Sequence, residues 1–370
     1  MKPLLKYILI ILLSEITFIF NSCKEQIISD DNIDNDSIVQ IDSQNNDMIT
    51  IITPLGGFMY AIGDSINFLF DLKNNNPFDS IILFSGSEKI MSWTNPPYKL
   101  TWYAKDLCTG YHNFKFIVYF KNEKIAQKSV SLRFKSDIVP EEYTYTVIKE
   151  FPHSIKSYTQ GFCFEDGYIY EGTGQYGESS ILKYKLETNE LVQSYNNEGS
   201  IFGEGIEIVD DRIIQLTWQS GVGFVYEKQS FKKISKFNIQ TEGWGLVYDG
   251  KQLIMSDGTN NLHYLETSVF STTKTIEVFD NDGPVSKLNE LELIEGNIYA
   301  NIYTKDIIVI IDPATGKVIG RIDLTGILNP KDKHNRIDVL NGIAWDEKGK
   351  RLLVTGKYWP KIYQIALIKK

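Results

Sequence analysis

A short triplet recurs five times in the stretch from residue 143 to Lys370: QGF at Gln160, EGI at Glu204, WGL at Trp244, NEL at Asn289 and NGI at Asn341. Roughly eight to ten residues after each triplet begins, a strand-like run follows: YIYEGTG, RIIQLTW, QLIMSDG, NIYANIY and RLLVTGK. Third runs register behind these as SILKYKL, GFVYEKQ, NLHYLET, IIVIIDP and KIYQIAL. A repeat of this kind constrains the fold severely, because each unit covers its apolar face only by stacking on its neighbours.

Fourth runs appear as ELVQSYN, KISKFNI, KTIEVFD and KVIGRID, but the fifth repeat reaches Lys370 without one. The missing run stands before the first repeat as YTVIKEF, residues 145 to 151. A strand left over at one end and absent at the other is what a ring of four-stranded sheets needs to close. Residues 143–370 therefore read as a five-bladed β-propeller sealed by its own N-terminal strand.

In such a ring the innermost strands line a central channel, and equivalent residues gather at one rim. Gln160, Glu204, Trp244, Asn289 and Asn341 share one column of the repeat, and Trp218, Asp257, Asn301, Tyr303 and Lys357 lie at the ends of the second strands. A purely architectural repeat favours similar residues in each column. These columns hold an acid, amides, indoles and a lysine, which a site explains better. Glu204, between two glycines and beside Phe202, is the residue whose type needs a reason: a carboxyl near aromatic walls loses solvation, its pKa rises toward working pH, and it can take and return a proton.

Before the repeat the chain changes character. With 370 residues, 42% of them apolar, there is room for two or three domains. MKPLLKYILIILLSEITFIFNSC places Lys2 and Lys6 ahead of an apolar run and ends on Cys23, the layout of a secretory signal, with Glu15 leaving too short an apolar stretch for a membrane span. It resembles a bacterial lipoprotein signal. That resemblance implies a signal peptide over 1–22, lipidation of Cys23, and an exported protein lipid-anchored to the cell envelope of a Gram-negative-type bacterium, on its periplasmic or surface face. Residues 23–49, rich in Asp, Asn and Ser, read as a flexible tether. From 50 to 137, MITIITP, SINFLFDLK, SIILFSG, YKLTWYA, HNFKFIVYF and KSVSLRF are strands at sandwich spacing. PLGGFMYAIGDSINFLF and LCTGYHNFKFIVYF resemble the immunoglobulin-like domains of secreted bacterial proteins, which implies an immunoglobulin-like β-sandwich that lifts the propeller off the membrane.

Several function classes fall away. The net charge of -9 is spread without a long basic block, so no nucleic-acid partner is expected. GTGQYG, 172–177, matches a dinucleotide fingerprint only in its glycines, since a strand rather than a helix follows. DNDG at 280–283 lacks the rest of a calcium loop. His112, His153, His263 and His334 are scattered, so no metal ligand set and no cofactor is expected. Cys108 and Cys163, in different domains, are expected as buried free thiols.

TQGF, IFGEGIEI, QLTWQ, GWGL, SDGT, LNELELI, ANIY, LNGIAWD and VTGKYWPK, in this order across 143–370, resemble the plant and bacterial type of glutaminyl cyclase (glutaminyl-peptide cyclotransferase). The resemblance implies conversion of the N-terminal glutaminyl residue of a peptide or protein substrate to 5-oxoproline (pyroglutamate), with release of ammonia and without zinc. It implies Glu204 as the proton shuttle, and Gln160, Phe202, Trp218, Trp244, Asn289 and Lys357 as pocket residues. Tyr303 stands where the family pattern often has Trp. Lys357, Asn289 or Gln160 could donate to the oxyanion, and the sequence does not choose among them. Trp218 and Trp244 as inter-blade packing, Lys357 as a rim charge and Asn289 as a turn cap are the competing assignments. Two other functions compete: a metal-dependent propeller lactonase, with Gln160, Glu204, Asn289 and Asn341 around a calcium ion, and a non-catalytic surface binding propeller. Because a propeller closes on itself, a monomer is expected.

Overall fold

The computed structural model describes residues 48–73, 77–121 and 125–370. The signal segment 1–22, Cys23 and the tether as far as residue 47 lie outside the described residues.

Two sheets form the N-terminal part. One has three strands, Ile49–Thr53, Ser65–Leu72 and Lys99–Tyr103; the other has five, ordered Met59–Ala61, Ile125–Lys135, Gly110–Phe120, Phe78–Ser85 and Glu88–Trp93. SINFLFDL shows why they face each other: Ile66, Phe68 and Phe70 are buried while the residues between them are exposed, the period-two signature of a strand covered on one side. Phe68 and Phe70 meet Phe114, Phe116 and Phe134 of the opposite sheet in one core. Two of these strands were not legible in the sequence. Met59–Ala61 is a three-residue parallel addition, and EKIMSW at Glu88–Trp93 is an edge strand with little alternation, formed by pairing with Phe78–Ser85.

From Glu141 onward the chain is a succession of four-stranded antiparallel units. The first is Thr159–Glu165, Tyr168–Thr173, Ser180–Lys185 and Leu191–Asn196; the second Gly203–Val209, Arg212–Thr217, Val222–Glu227 and Lys233–Asn238; the third Leu246–Tyr248, Gln252–Ser256, Asn261–Glu266 and Thr272–Glu277. The fourth is Leu288–Ile294, Asn297–Ile302, Ile307–Ile311 and Val318–Asp323, and the fifth begins with Leu340–Asp346, Arg351–Gly356 and Lys361–Lys369. Glu141–Pro152 pairs antiparallel with Lys361–Lys369, from Lys361 opposite Pro152 to Lys369 opposite Tyr143, and so supplies the strand the fifth unit lacks. Its first residues also pair in parallel with Gly320–Ile322, which merges the fourth and fifth units into one eight-stranded sheet. The first strand of each unit packs on that of the next, and the fifth returns to the first, so the arrangement is propeller-like.

The glycines of the triplets permit that closure. A Cβ on Gly161 would lie 2.2 Å from Ile206 N, one on Gly205 2.5 Å from Trp244 O, and one on Gly245 2.0 Å from Asn289 O. Only glycine lets neighbouring backbones approach so closely. In the fourth unit Glu290 takes the place of glycine, and its carboxylate accepts from Ile343 N of the fifth unit at 2.7 Å. Glu207 and Glu292 make similar staples, accepting from Tyr248 N and Trp345 N at 3.0 Å.

A buried seam joins the N-terminal strand to the units it closes. His153 lies 2.7 Å (Nδ1) from Trp359 O and 3.3 Å (Nε2) from Glu171, which also accepts from Thr159 Oγ1 at 2.7 Å and Tyr184 Oη at 2.9 Å. The N-terminal sheets dock on the third unit through Glu277, which accepts from Tyr111 N at 2.9 Å and pairs with Arg133 at 3.4 Å, and on the fourth through Thr109 N, which donates to Thr315 O at 2.8 Å. Of the two thiols expected to be buried and free, Cys163 is both. Cys108 is half-buried and is not a free thiol.

Candidate active site

A local irregularity of the inner strands sets up the site. Pairing between first and second strands slips between Thr159 and Gly161, Gly203 and Ile206, Leu288 and Leu291, and Leu340 and Ile343. Those intervals hold Gln160, Glu204, Asn289 and Asn341. A bulge takes a residue out of the ladder and re-aims its side chain. The third unit reaches the same end differently: Trp244 stands ahead of a strand of only three residues, Leu246–Tyr248.

A second column follows from a repeated hydrogen bond. The residue just after the second strand donates its backbone N–H to the carbonyl two residues before the triplet: Gly174 to Tyr158 at 2.8 Å, Trp218 to Phe202 at 3.1 Å, Tyr303 to Lys287 and Lys357 to Val339 at 2.9 Å. Each bond ties the residue that follows a second strand to the residue two before the triplet of the same unit.

The side chains then close into a ring. Phe202 and Trp218 have ring centroids 5.4 Å apart; Trp218 Nε1 and Trp244 Nε1 each donate to Glu242 Oε2 at 2.9 Å; Trp244 meets Tyr303 edge-on at 5.5 Å. Lys357 Nζ lies 5.2 Å from the Tyr303 ring centre and 4.5 Å from that of Tyr158, and Tyr158 returns to Phe202 at 6.2 Å. Five aromatic rings are thus joined by one anion and one cation. Tyr358, beside Lys357, packs on Tyr158 with ring centroids 5.1 Å apart and planes tilted by 58°, and adopts a φ of 61, a conformation that a bulky residue holds only where its surroundings enforce it.

The polar floor is a relay. Asn341 Nδ2 donates to Thr159 O at 2.9 Å and Gln160 Oε1 at 3.3 Å, and Gln160 Nε2 donates to Glu204 Oε1 at 3.0 Å. Glu204 is 4% exposed and Lys357 2%. Burial pushes the Glu204 carboxyl well above its ordinary range; the charge of Lys357 opposes the shift and that of Glu242 adds to it. Burial holds Lys357 below the usual lysine value, against the pull of Glu204 and Asp338. The result is a carboxyl whose neutral form burial favours, with the buried cation Lys357 opposing that shift, under aromatic walls.

Gln160, Phe202, Glu204, Trp218, Trp244, Tyr303 and Lys357 are connected in this way. Gly174 completes the link between floor and wall, since a Cβ there would lie 2.5 Å from the Phe202 ring and 3.0 Å from Gln160 Cγ. Asn289 joins through its backbone, which abuts Gly245, while its buried side-chain oxygen has no hydrogen-bond partner among the described residues. Asp257 is a turn residue: it accepts from Thr259 N at 3.0 Å and contacts His263 at 2.8 Å. Lys357 is not a rim charge. Tyr158 and Glu242 were missed by sequence reasoning, although a signal existed: both stand two residues before a triplet, as Phe202 does. Among the described residues, no cluster of three or more His, Cys, Asp or Glu side chains is placed to hold a metal ion.

Residues 121–367 match the family model of glutamine cyclotransferase. A glutaminyl-peptide cyclotransferase of Arabidopsis thaliana is 40% identical over 227 residues, 60% of this chain and 70% of the relative. The crystal structure of Myxococcus xanthus glutaminyl cyclase superposes with a TM-score of 0.58 at 34% identity, covering 62% of this chain and 99% of that one. With the match to the family model spanning most of the chain and bulges, ring and relay falling inside it, this chain belongs to the glutamine cyclotransferase family.

Proposed function

We propose that the chain converts the N-terminal glutaminyl residue of a peptide or protein to 5-oxoproline with release of ammonia. The observation that carries this reading is the buried Glu204 carboxyl, oriented by Gln160 beneath the aromatic ring and facing Lys357. Ionised Glu204 accepts a proton from the substrate's α-amine as that nitrogen attacks the side-chain carboxamide carbon. A C–N bond forms, negative charge gathers on the carboxamide oxygen, and Lys357 is the buried cation nearest to stabilise it. The tetrahedral species then breaks its bond to the amide nitrogen, and Glu204 returns the proton so that ammonia leaves. Phe202, Trp218, Trp244 and Tyr303 fold the flexible side chain back on its own amine, so that proximity supplies much of the rate. The Asn289 side-chain oxygen, without a partner among the described residues, suits a hydrogen-bond donor of the substrate.

In this reading the repeats of 143–370 are the blades of a five-bladed β-propeller, and residues 50–137 are an immunoglobulin-like β-sandwich that acts as a spacer. Support comes from the cyclic contacts of five inner strands and from the two facing N-terminal sheets. Signal cleavage at 1–22, lipid on Cys23, a tether over 23–49 and a monomer at the cell envelope complete the proposal, on the pattern of the N-terminal residues. The test is ammonia release from a glutaminyl dipeptide by the full-length chain, with EDTA present. Turnover that persists in EDTA is expected, and a well-folded protein that releases no ammonia would refute the assignment.

A further inference from the structure

Trp218 and Trp244 belong to different repeats, yet their indole nitrogens converge on one oxygen, Glu242 Oε2, at 2.9 Å each. The other oxygen, Oε1, accepts from Gln219 Nε2, also at 2.9 Å. An indole has a single N–H and no acceptor, so each ring's only polar bond ends on this carboxylate. Glu242 is half-buried, and no Lys, Arg or His pairs with it among the described residues. Its three bonds therefore go to neutral donors. Trp218 in turn packs on Phe202, next to Glu204, while Trp244 packs on Tyr303, next to Lys357. Glu242 thus bridges the gap in the aromatic ring between Trp218 and Trp244. Gly258 shows how tightly the far side is set, since a Cβ there would lie 2.6 Å from the Trp244 ring.

We propose that Glu242 is a positioning residue for the cyclotransferase reaction: by holding both indole N–H groups on one oxygen it fixes the distance between Trp218 and Trp244 at which they clamp the glutaminyl side chain beside Glu204. The reaction itself rests on the function proposed above; the brace rests on the hydrogen bonds alone. Glu242 touches neither reacting atom and acts through the two rings.

The test compares full-length wild type, Glu242→Ala and Glu242→Gln. A clamp released by a fraction of an ångström to an ångström loses on the order of 100-fold in kcat/KM for ammonia release from a glutaminyl dipeptide, and the loss is expected mainly in kcat. The near-ultraviolet circular dichroism of the indoles should change in Glu242→Ala while the far-ultraviolet spectrum stays the same. Glu242→Gln keeps an oxygen that accepts both N–H groups, and it should recover both the indole spectrum and at least about tenfold of the lost rate. Wild-type kinetics in Glu242→Ala, with or without a spectral change, would overturn the proposal, as would a Gln variant no better than the Ala variant. Should the wild type itself release no ammonia, the reaction assignment fails, and the indole spectra still decide whether the brace exists.

Discussion

Gln160 Nε2 donates to Glu204 Oε1 across 3.0 Å, joining the inner strands of two adjacent repeats where both side chains are buried. Asn341 fixes the other end of the Gln160 amide, so the amide presents N–H rather than C=O to the acid. Among the described residues the Glu204 carboxyl is bonded through Oε1 alone, and in the proposed mechanism Oε2 is the oxygen that meets the substrate amine.

Replacing Glu204 by Gln keeps the volume and removes the base. Steady-state ammonia release should fall by about 10²–10⁴-fold, the range for loss of a general acid or base. Stability should not fall with it at pH 8. A carboxyl whose folded pKa is raised stabilises the fold below its unfolded pKa and loses that contribution as pH rises through the folded value, and the neutral amide escapes the loss. Thermal melts at pH 8 alongside the kinetics separate the two effects.

The pH profile of kcat/KM should be bell-shaped. On the acid side Glu204 must ionise, and burial places that step above the ordinary carboxylate range. The substrate α-amine, ordinarily near about 8, must also be neutral. On the alkaline side Lys357 loses its proton below the usual lysine value. Profiles recorded with a substrate of lowered amine pKa isolate the enzyme's own acid limb; a limb near the solvent-exposed glutamate value of about 4.3 would contradict a buried base at Glu204.

Asn341→Ala should lower kcat/KM about tenfold, because the freed Gln160 amide can rotate its oxygen toward Glu204, an exchange of one hydrogen bond for a repulsion worth about 1–3 kcal/mol. A double-mutant cycle with Gln160→Ala should give a coupling energy of at least about 0.5 kcal/mol. Additive losses in that cycle would mean that the relay does not act through Gln160.

His153→Ala should destabilise the protein by about 3–5 kcal/mol, because it strands the buried Glu171 charge at the seam that closes the ring. Burial alone would raise the Glu171 pKa, but the charge of His153 and the hydrogen bonds from His153, Thr159 and Tyr184 bring it below the ordinary value. That stabilisation is present above the unfolded glutamate pKa and lost as pH falls through the lower folded one. The gap between the denaturant melts of wild type and variant should narrow as pH falls from 7 into the acid range below the ordinary glutamate pKa.

Glu207 gives the opposite sign. Burial pushes its carboxyl up to about 7, opposed by the hydrogen bonds from Ile208 N and Tyr248 N. Its contribution is therefore complete below the unfolded value of about 4.3 and lost as pH rises through about 7. The melting temperature of Glu207→Gln relative to wild type should increase between pH 5 and pH 8, and a difference independent of pH would place Glu207 outside this account.

Much of this molecule was legible in its sequence because strand formation is local. Period-two burial in SINFLFDL and the fivefold return of a triplet need only neighbouring residues to be read, and the displaced strand near residue 145 followed from counting. Residue types that differ within one column marked Gln160, Glu204, Trp244 and Asn289, and the column at the second-strand ends added Trp218, Tyr303 and Lys357. What the sequence could not decide depends on distances through space between units. Lys357 became a buried cation between Tyr158 and Tyr303, and Glu242 became the joint between two indoles, because ring closure brings separate repeats within hydrogen-bonding reach. The edge strand Glu88–Trp93 likewise exists by pairing rather than by its own pattern. The protonation behaviour of Glu204 was expected in direction from its apolar neighbours, but its extent is set by burial and by the opposing charges of Lys357 and Glu242, which only the tertiary structure assembles.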